Sequence, residues 1–399
     1  MNKKKQVLLF STLNPFPFWA GSETFWFDFA NDEMVRKEIS FTCMLAKSPV
    51  TIQKGKELLQ TGSTARYYNH FNVSFWKRNA YRFFGKLMNA PTKVFPWYNQ
   101  INSGNHDLVW FNVAALDDLV NLSYPVSLCK KKNIPYWLIL QHGFEDFFLT
   151  SSKEIDDVTE VATSAKKFIF ISDRNRNSLE RAIGIKLNNA FRSYNALPHD
   201  KIKRAASLGN SRLPASNGTA GFFNLGRFSP KDKAQHLLVE CLSEKKWSER
   251  DWQLSFIGIS EFGQVYLSKM SDYFKLDKNR IKIIPFISNV FDAIIQEDVL
   301  LMPSIAEGTP YAMVESMAGL RPAMGTPAGG IPELVTDNKT GWLAKGVQIE
   351  EIDEAMDRLW KERNNWADYG RNAQSNIAAN YDQAISHPIL LKEILSDIR

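Results

Sequence analysis

The sequence predicts an α/β protein built as two domains, each on a sheet of parallel strands. A chain of 399 residues is too long for one ordinary hydrophobic core and suggests two domains of roughly 150–200 residues each. Apolar runs typical of buried strands alternate with loops and with amphipathic stretches at helical spacing, which is the order of a βαβ unit. A segment at 205–220 contains Ser, Gly and Pro and few large apolar residues, so it is predicted to be the linker.

Apolar runs predict the positions of the strands in both domains. The first domain, 1–204, has predicted strands at Val7–Ser11, Phe41–Leu45, Asp107–Phe111, Tyr136–Leu140 and Phe168–Ser172. The second domain, 221–375, has predicted strands at Phe222–Gly226, Trp252–Ile257 and Ile281–Phe286 and in the apolar run Val299–Ser304. After Leu343 the chain is predicted to be helical to its end.

Cysteine content, apolar runs and net charge bear on the cellular compartment and on the partners of the protein. Three cysteines lie far apart, are odd in number and show no metal-like spacing, which favours a reducing cytoplasm over a disulfide scaffold. The apolar run after the basic N-terminus is too short for a signal peptide, and no run reaches the ~18 apolar residues of a spanning helix. A net charge of +6 is compatible with nucleotide phosphates, acidic lipid or nucleic acid as partners. No RNA-binding, zinc or helix-turn-helix pattern is present, so nucleic acid is not expected.

Residues 75–88 predict a helix with an aromatic face and a basic stripe. Trp76 belongs to the aromatic face, and Arg78, Arg82 and Lys86 form the stripe. Such a helix can lie at an anionic membrane surface, where each basic side chain contributes about 1 kcal/mol. An ordinary domain helix with buried aromatics and a solvated basic edge has the same pattern, so both interpretations stay open.

A strand, turn and helix around Glu307 and Glu315 carry the first candidate site. The apolar run before them ends at Pro303, and Pro310 suits the first turn of a helix. Ligands of open α/β sheets bind at the carboxyl ends of the strands. Two carboxylates at this spacing can accept hydrogen bonds from hydroxyls of one ligand, and two solvated surface carboxylates fit the spacing as well.

Cations follow an earlier strand of the same domain. That strand ends at Gly226, Arg227 comes next and Lys233 follows six residues later. Such a pair can bind a diphosphate, since Arg offers a planar fork of donors and Lys a point charge. Two basic residues on an ordinary surface loop would look the same.

The first domain offers weaker candidates. Gly21 and Ser22 lie in the loop before the first helix, where backbone N–H groups can approach a phosphate or a sugar. His142 follows a predicted strand on the side where a sheet ligand would bind. Each also fits a purely structural role.

The second-domain motifs together resemble the donor site of the retaining family-4 glycosyltransferases of the GT-B fold. The resemblance rests on Glu307 and Glu315, on the segment Gly329–Glu333 and on the turn ending in Thr340-Gly341. It covers most of 200–345 and, more faintly, the first 30 residues and 135–175. It implies two Rossmann-like domains that face each other across a cleft, with the acceptor on the side of the first and with 376–399 crossing back to it.

The resemblance also implies the reaction and the residue roles. A sugar would pass from a UDP-, GDP- or ADP-linked donor to a hydroxyl of a glycan or glycolipid, with retention and without metal or other cofactor. Arg227, Lys233 and the backbone at Gly21 would stabilise the leaving diphosphate, while His142 would orient groups near the sugar. Glu307 would bind the sugar hydroxyls and Glu315 the ribose. The remaining predicted donor contacts are Ser22, Gly226, Gly308, Thr309, Pro310, Gly329 and Gly330.

The pattern has departures and competing interpretations. Ala20, Ala234 and Ser260 stand where the family commonly has glycine, and Asn195 lies in a poor match to the segment before the family's linker. The same fold is compatible with a sugar-nucleotide epimerase or a phosphorylase, and a non-catalytic basic protein of the membrane surface is a further hypothesis. The setting expected from the family is cell-envelope polysaccharide synthesis, such as lipopolysaccharide or capsule, by a cytoplasmic hexosyltransferase that can be peripheral on the inner face of the membrane.

Overall fold

The computed structural model describes residues 3–12, 19, 21–68 and 98–398. The predicted helix at 75–88, with Trp76, Arg78, Arg82 and Lys86, lies outside the described residues. None of the described helices is both long enough and apolar enough to cross a membrane.

The first half of the chain folds into a parallel sheet covered by helices. Its strands are β1 (Lys5–Ser11), β2 (Ile39–Ala46), β3 (Thr64–Tyr68), β4 (Leu108–Val113), β5 (Tyr136–Leu140), β6 (Lys167–Phe170) and β7 (Ala190–Arg192). Its helices are α1 (Gly21–Asn31), α2 (Glu33–Glu38), α3 (Pro49–Gln60), α4 (Tyr98–Ser103), α5 (Ser123–Lys131), α6 (Ser152–Ser164), α7 (Asp173–Ile183) and α8 (His199–Ser211). The seven strands pair in the order β3-β2-β1-β4-β5-β6-β7.

The second half repeats this plan. Its strands are β8 (Ala220–Leu225), β9 (Trp252–Ile257), β10 (Ile281–Ile284), β11 (Val299–Met302), β12 (Ala323–Gly325) and β13 (Gly341–Leu343). Its helices are α9 (His236–Leu242), α10 (Lys245–Ser248), α11 (Glu261–Tyr273), α12 (Val290–Ile294), α13 (Tyr311–Ala318), α14 (Ile331–Leu334), α15 (Ile349–Lys361), α16 (Trp366–Asn380) and α17 (Gln383–Asp397). The six strands pair in the order β10-β9-β8-β11-β12-β13.

Burial of both sheet faces explains the apolar strands. In β1, Leu8 and Phe10 pack into the core on one face of the sheet, whereas Val7 and Leu9 pack into the core on the other. Side chains alternate along a strand, so a strand covered by helices on both faces must be apolar throughout. The predicted α/β class with two Rossmann-like halves is confirmed.

Several elements differ in extent from the sequence prediction. Strands β3, β7, β12 and β13 were not predicted; β3 is largely exposed, and the others have three residues each. Helix α8 reaches Ser211 because Ile202, Ala205 and Gly209 are buried on one face. The first part of the predicted 205–220 linker is therefore helical, and the predicted domain boundaries stay predictions.

The last helix returns to the first sheet. Leu390, Leu391 and Ile394 of α17 pack into the core that contains Val7 and Leu9. The indole N–H of Trp137 in β5 donates to the Asp397 carboxylate at 3.0 Å. Residues from the C-terminal end thus complete the first half.

Both sheets position loops for a shared cleft. The strand order reverses between β1 and β4 in the first sheet and between β8 and β11 in the second. Loops that leave neighbouring strands in opposite directions open a crevice at the carboxyl ends of those strands. The loops after β8 and β11 contain Arg227, Lys233 and Glu307, so the fold brings these predicted site residues to one crevice.

Candidate active site

The loop formed by residues 303–310, between β11 and α13, touches the first half across the cleft. Glu307 and Gly143 form an isolated antiparallel bridge. A ring nitrogen of His142 lies 3.2 Å from the carbonyl oxygen of Ala306. The structure therefore brings the predicted residues His142 and Glu307 together from different halves of the chain.

Glu307 is buried and already paired. Lys233 Nζ lies 2.7 Å from Glu307 Oε1, and the Ser304 hydroxyl donates to the same oxygen at 2.8 Å. Among the described residues, none donates to Glu307 Oε2. One carboxylate oxygen is thus used to fix the side chain, and the other is available to a ligand hydroxyl.

Arg227 has a carboxylate partner that sequence reasoning missed. It forms an ion pair with Asp232, whose side chain is buried and also accepts from the Ser229 hydroxyl. The Asp232 carbonyl accepts from the backbone N–H of Ile305 at 2.8 Å, which ties this turn to the 303–310 loop. In the sequence, only the alternation of charge in Lys231-Asp232-Lys233 could have indicated this ion pair.

Glycines allow the 303–310 loop to pack closely. Gly329 has φ +49°, and a Cβ there would collide with the Glu307 carbonyl. The Gly330 N–H donates to the Gly308 carbonyl at 2.6 Å, and a Cβ on Gly308 would collide with the Gln141 carbonyl. These three glycines support the loop through backbone contacts, and their contact with a donor stays a prediction.

Helix α13 begins directly after Pro310 and carries Glu315 one turn beyond Tyr311. Burial raises the pKa of the Glu315 carboxyl to about 7, and the charge of Lys201 opposes the shift. Among the residues that the structure describes, none donates a hydrogen bond to the Glu315 carboxylate. A shielded carboxylate without a protein donor can accept hydrogen bonds from a ligand.

The predicted first-domain residues Gly21 and Ser22 start α1 opposite this helix. A Cβ on Gly21 would lie 2.9 Å from Cδ2 of Tyr311, so glycine permits the close approach of the two halves. The Ser22 carbonyl accepts from Asn112 at 3.3 Å. Gly21 therefore lies in the cleft beside the Tyr311 ring of the second half, and its contact with a diphosphate stays a prediction.

His142 is suited to a neutral role. Burial lowers the pKa of its imidazole, the charge of Lys233 lowers it further, and Glu307 acts in the opposite direction. The ring packs edge-on against Phe144 with centroids 5.6 Å apart. A neutral imidazole near Glu307 can donate or accept a hydrogen bond without adding charge.

A buried polar network lies beneath the first-half side of the cleft and was not predicted. Glu23 accepts from the Ser11 hydroxyl, from the Trp26 indole at 2.7 Å and from the Asn112 amide at 3.2 Å. The Gln141 side-chain amide donates to Oδ1 of Asn112 at 2.9 Å. Burial raises the pKa of Glu23 to about 7 despite these donors.

A second contact crosses the cleft at Glu333 in α14. Its Oε1 accepts from the backbone N–H of Asp173 at 2.9 Å, and its Oε2 pairs with Arg192. The Arg192 guanidinium lies 4.2 Å from the ring centre of Tyr194. The glutamate of the predicted Gly329–Glu333 segment therefore binds the first half of the chain.

Sequence comparison covers mainly the second half. Residues 212–376 match the family model described as Glycosyl transferases group 1. The chain is 28% identical over 98 residues to amylovoran biosynthesis glycosyltransferase AmsK of Erwinia amylovora, which is 23% of this chain and 24% of that protein. It is 48% identical over 52 residues to putative colanic acid biosynthesis glycosyltransferase WcaL of Salmonella typhimurium, which is 12% of this chain and 13% of that protein. The chain thus spans about a quarter or less of the length of these relatives.

Structural comparison covers both halves. The Anabaena protein HepE, solved in complex with UDP, has a TM-score of 0.71 at 17% identity over 98% of this chain and 100% of that chain. Sucrose-phosphate synthase from Thermosynechococcus elongatus has a TM-score of 0.72 at 12% identity over 98% of this chain and 100% of that chain. Residues 212–376 therefore carry the sequence pattern of the group 1 glycosyl transferases, and the chain as a whole has the two-sheet fold of the GT-B glycosyltransferase structures.

Proposed function

We propose that this chain is a glycosyltransferase that moves a sugar from a nucleotide-diphosphate sugar to a hydroxyl of a glycan or glycolipid. The carrying observation is that the loops after β8 and β11 bring Arg227, Lys233 and Glu307 to the strand-order reversal of the second sheet, with Glu315 on the helix that follows. All four residues lie within the part of the chain that matches the family model. Two cations and two carboxylates at one crevice suit a ligand that combines a diphosphate with two polyol rings.

The cations are assigned to the diphosphate. As the bond between the anomeric carbon and the phosphate oxygen breaks, negative charge grows on that oxygen, and Arg227 and Lys233 offset it. This positive charge from the protein itself is the reason to propose transfer without a divalent ion. Each cation has a carboxylate partner in the free protein, so the diphosphate enters a site whose charges are already oriented.

The carboxylates are assigned to the two sugar rings. Glu307 Oε2 accepts from a hydroxyl of the transferred sugar, while Oε1 keeps Lys233 and Ser304. Glu315 accepts from the ribose hydroxyls. Such bonds stabilise its charged form, so a bound nucleotide lowers the pKa of Glu315 from about 7.

The chemical step follows from these assignments. The acceptor oxygen forms a bond to the anomeric carbon on the face that the phosphate leaves, and the leaving phosphate oxygen takes the acceptor proton. This route retains the anomeric configuration without a carboxylate nucleophile. Retention is what the resemblance to the family-4 glycosyltransferases implies. His142 is neutral and beside the 303–310 loop, so we assign it to orienting hydroxyls and not to carrying charge.

Relatives suggest the substrates. The HepE structures contain UDP or UDP-glucose, which favours a UDP-linked hexose here. AmsK is named for amylovoran biosynthesis and WcaL for colanic acid biosynthesis, and we take a cell-envelope glycan or its lipid-linked precursor as the acceptor here. Attachment at the inner face of an anionic membrane stays a prediction from residues 75–88.

Nucleotide binding tests the proposal. Calorimetry without added metal compares UDP, GDP and ADP on the wild type, on Arg227→Ala and on Glu315→Ala. We expect UDP to bind and each substitution to weaken it about tenfold or more, because each removes a hydrogen bond that involves a charged group. Arg371→Ala is the matched control, since Arg371 pairs with Asp368 on an exposed helical surface of the same half.

The same titration can reject the proposal. Absence of binding by all three nucleotides at millimolar concentration would contradict the donor site. Equal weakening by Arg371→Ala would show that the measured loss does not arise in the cleft.

A further inference from the structure

The backbone of the 303–310 loop is bound by two asparagines of the first half. The Asn175 amide donates to the Glu307 carbonyl oxygen at 3.1 Å, and the Asn195 amide donates to the Thr309 carbonyl oxygen at 2.7 Å. Both side chains are buried. The loop that carries Glu307 in the second half therefore depends on donors from the opposite side of the cleft.

The chemistry fixes which end of each amide faces the loop. The partner in both cases is a carbonyl oxygen, which only accepts, so the NH2 group must face it. Among the described residues, neither Asn175 Oδ1 nor Asn195 Oδ1 has a hydrogen-bond partner. Among the described residues, the side-chain amides of both asparagines therefore form hydrogen bonds only with the opposite half of the chain.

Rigid elements hold the two donors in place. Asn175 lies in the first turn of α7, where its backbone N–H is 3.4 Å from the N-cap hydroxyl of Ser172. Asn195 lies between β7 and α8, close to where Leu197 pairs with the backbone of Tyr381 and Gln383. The loop is thus bound at two carbonyls by elements that belong to the first half.

We infer that Asn175 and Asn195 are positioning residues that set the 303–310 loop, and with it the Glu307 carboxylate, for donor binding when the two halves are in contact. The inference rests on the proposed function of Glu307. Neither asparagine needs to touch the sugar nucleotide, because each acts through the loop backbone. Loss of either amide leaves a buried carbonyl oxygen without its hydrogen-bond donor, which favours loop conformations that misplace Glu307.

The test compares Asn175→Ala and Asn195→Ala with Asn189→Ala. Asn189 is the matched control because its amide also donates to backbone carbonyls, those of Ala162 and Ala165, but entirely within the first half. We expect UDP-glucose affinity to fall about tenfold in the first two variants, as for a lost buried hydrogen bond. Asn189→Ala should lower the melting temperature and leave UDP-glucose affinity unchanged.

A double-mutant cycle separates positioning from general stability. If Asn175 acts through Glu307, Asn175→Ala should weaken UDP-glucose binding about tenfold in the wild-type background and have little effect in Glu307→Ala. Full additivity of the two substitutions would overturn the inference. Should Asn175→Ala fail to fold, Asn195→Ala takes its place in the cycle.

The outcomes distinguish this inference from the proposed function. If wild type binds UDP-glucose and Asn175→Ala and Asn195→Ala bind it equally well, the inference is wrong and the donor site stands. If wild type binds no nucleotide, the donor site fails and the inference fails with it. Equal losses in Asn189→Ala would also overturn it.

Discussion

The two sides of the cleft are constructed differently. On the second-half side, three short segments contain the charged groups and the closely packed glycines: 226–235, 303–315 and 329–333. On the first-half side, Ser11 of β1, Glu23 of α1, Asn112 of β4 and Gln141 after β5 are joined by hydrogen bonds, and Ser11 and Asn112 are also partners in the sheet. One side is assembled within contiguous segments and the other by the order of strands in a sheet.

The charges differ in the same way. Arg227 and Lys233 each face a carboxylate in the second half, so this side has full charges held at fixed positions. The first-half network has one carboxyl, Glu23, surrounded by neutral donors and with a pKa raised to about 7. Under the proposed function, a ligand's negative charge would be bound by the second half, while this network of the first half would supply neutral hydrogen bonds.

The largest expected effect comes from the glycine packing of the second-half side. Gly329→Ala should abolish measurable UDP binding, because the new Cβ collides with the Glu307 carbonyl in addition to the strain of φ +49°. Gly218→Ala is the control, since Gly218 has φ +70° with open space around a Cβ. It should cost about 1–2 kcal/mol of stability without loss of UDP binding. Normal binding by Gly329→Ala would show that the loop is not fixed by this contact.

A smaller effect is expected on the first-half side, in the pH dependence of stability. The pKa of Glu23 is about 7 in the folded state and about 4.5 for a solvent-exposed glutamate, so the folded state binds more protons than the unfolded state between these pH values. The unfolding free energy contributed by this group therefore falls as pH rises from about 5 to 7, by up to about 3 kcal/mol. Glu23→Gln should remove this part of the slope in urea titrations at pH 5, 6, 7 and 8. A difference between wild type and variant that does not change with pH would contradict the shift.

The smallest effect concerns a departure from the family pattern in the second half. Ala234 stands where the family commonly has glycine and has φ +50°, which is unfavourable for a residue with a Cβ. Ala234→Gly removes that strain, and loss of the buried methyl group offsets part of the gain. We expect a stabilisation below about 1 kcal/mol, measured by thermal unfolding. A clear loss of stability would show that packing of the methyl group outweighs the strain.

The contrast between the two sides also explains what the sequence could predict. The buried central strands and the second-half residues Arg227, Lys233 and Glu307 were identified because apolar runs and charged residues at fixed offsets lie within single strand-loop-helix units. Edge strand β3 was missed because it is largely exposed and lacks an apolar run. The contacts of three further residues were missed. Asn175 and Asn195 bind backbone carbonyls, which no side-chain pattern marks. Asp232 pairs with Arg227, which was predicted to bind a diphosphate. No local pattern marks a donor whose acceptor lies in the other half of the chain.

The return of α17 to the first sheet has a consequence for how the chain folds during synthesis. Its apolar residues complete a core that begins with β1, and Trp137 and Asp397 are 260 residues apart when they bond. The first half leaves the ribosome long before α17 is made, so part of that core stays uncovered while the second half is synthesised. Contacts of such long sequence separation form slowly. Residues of α17 therefore help to decide whether residues of β1, which are translated much earlier, reach their final packing.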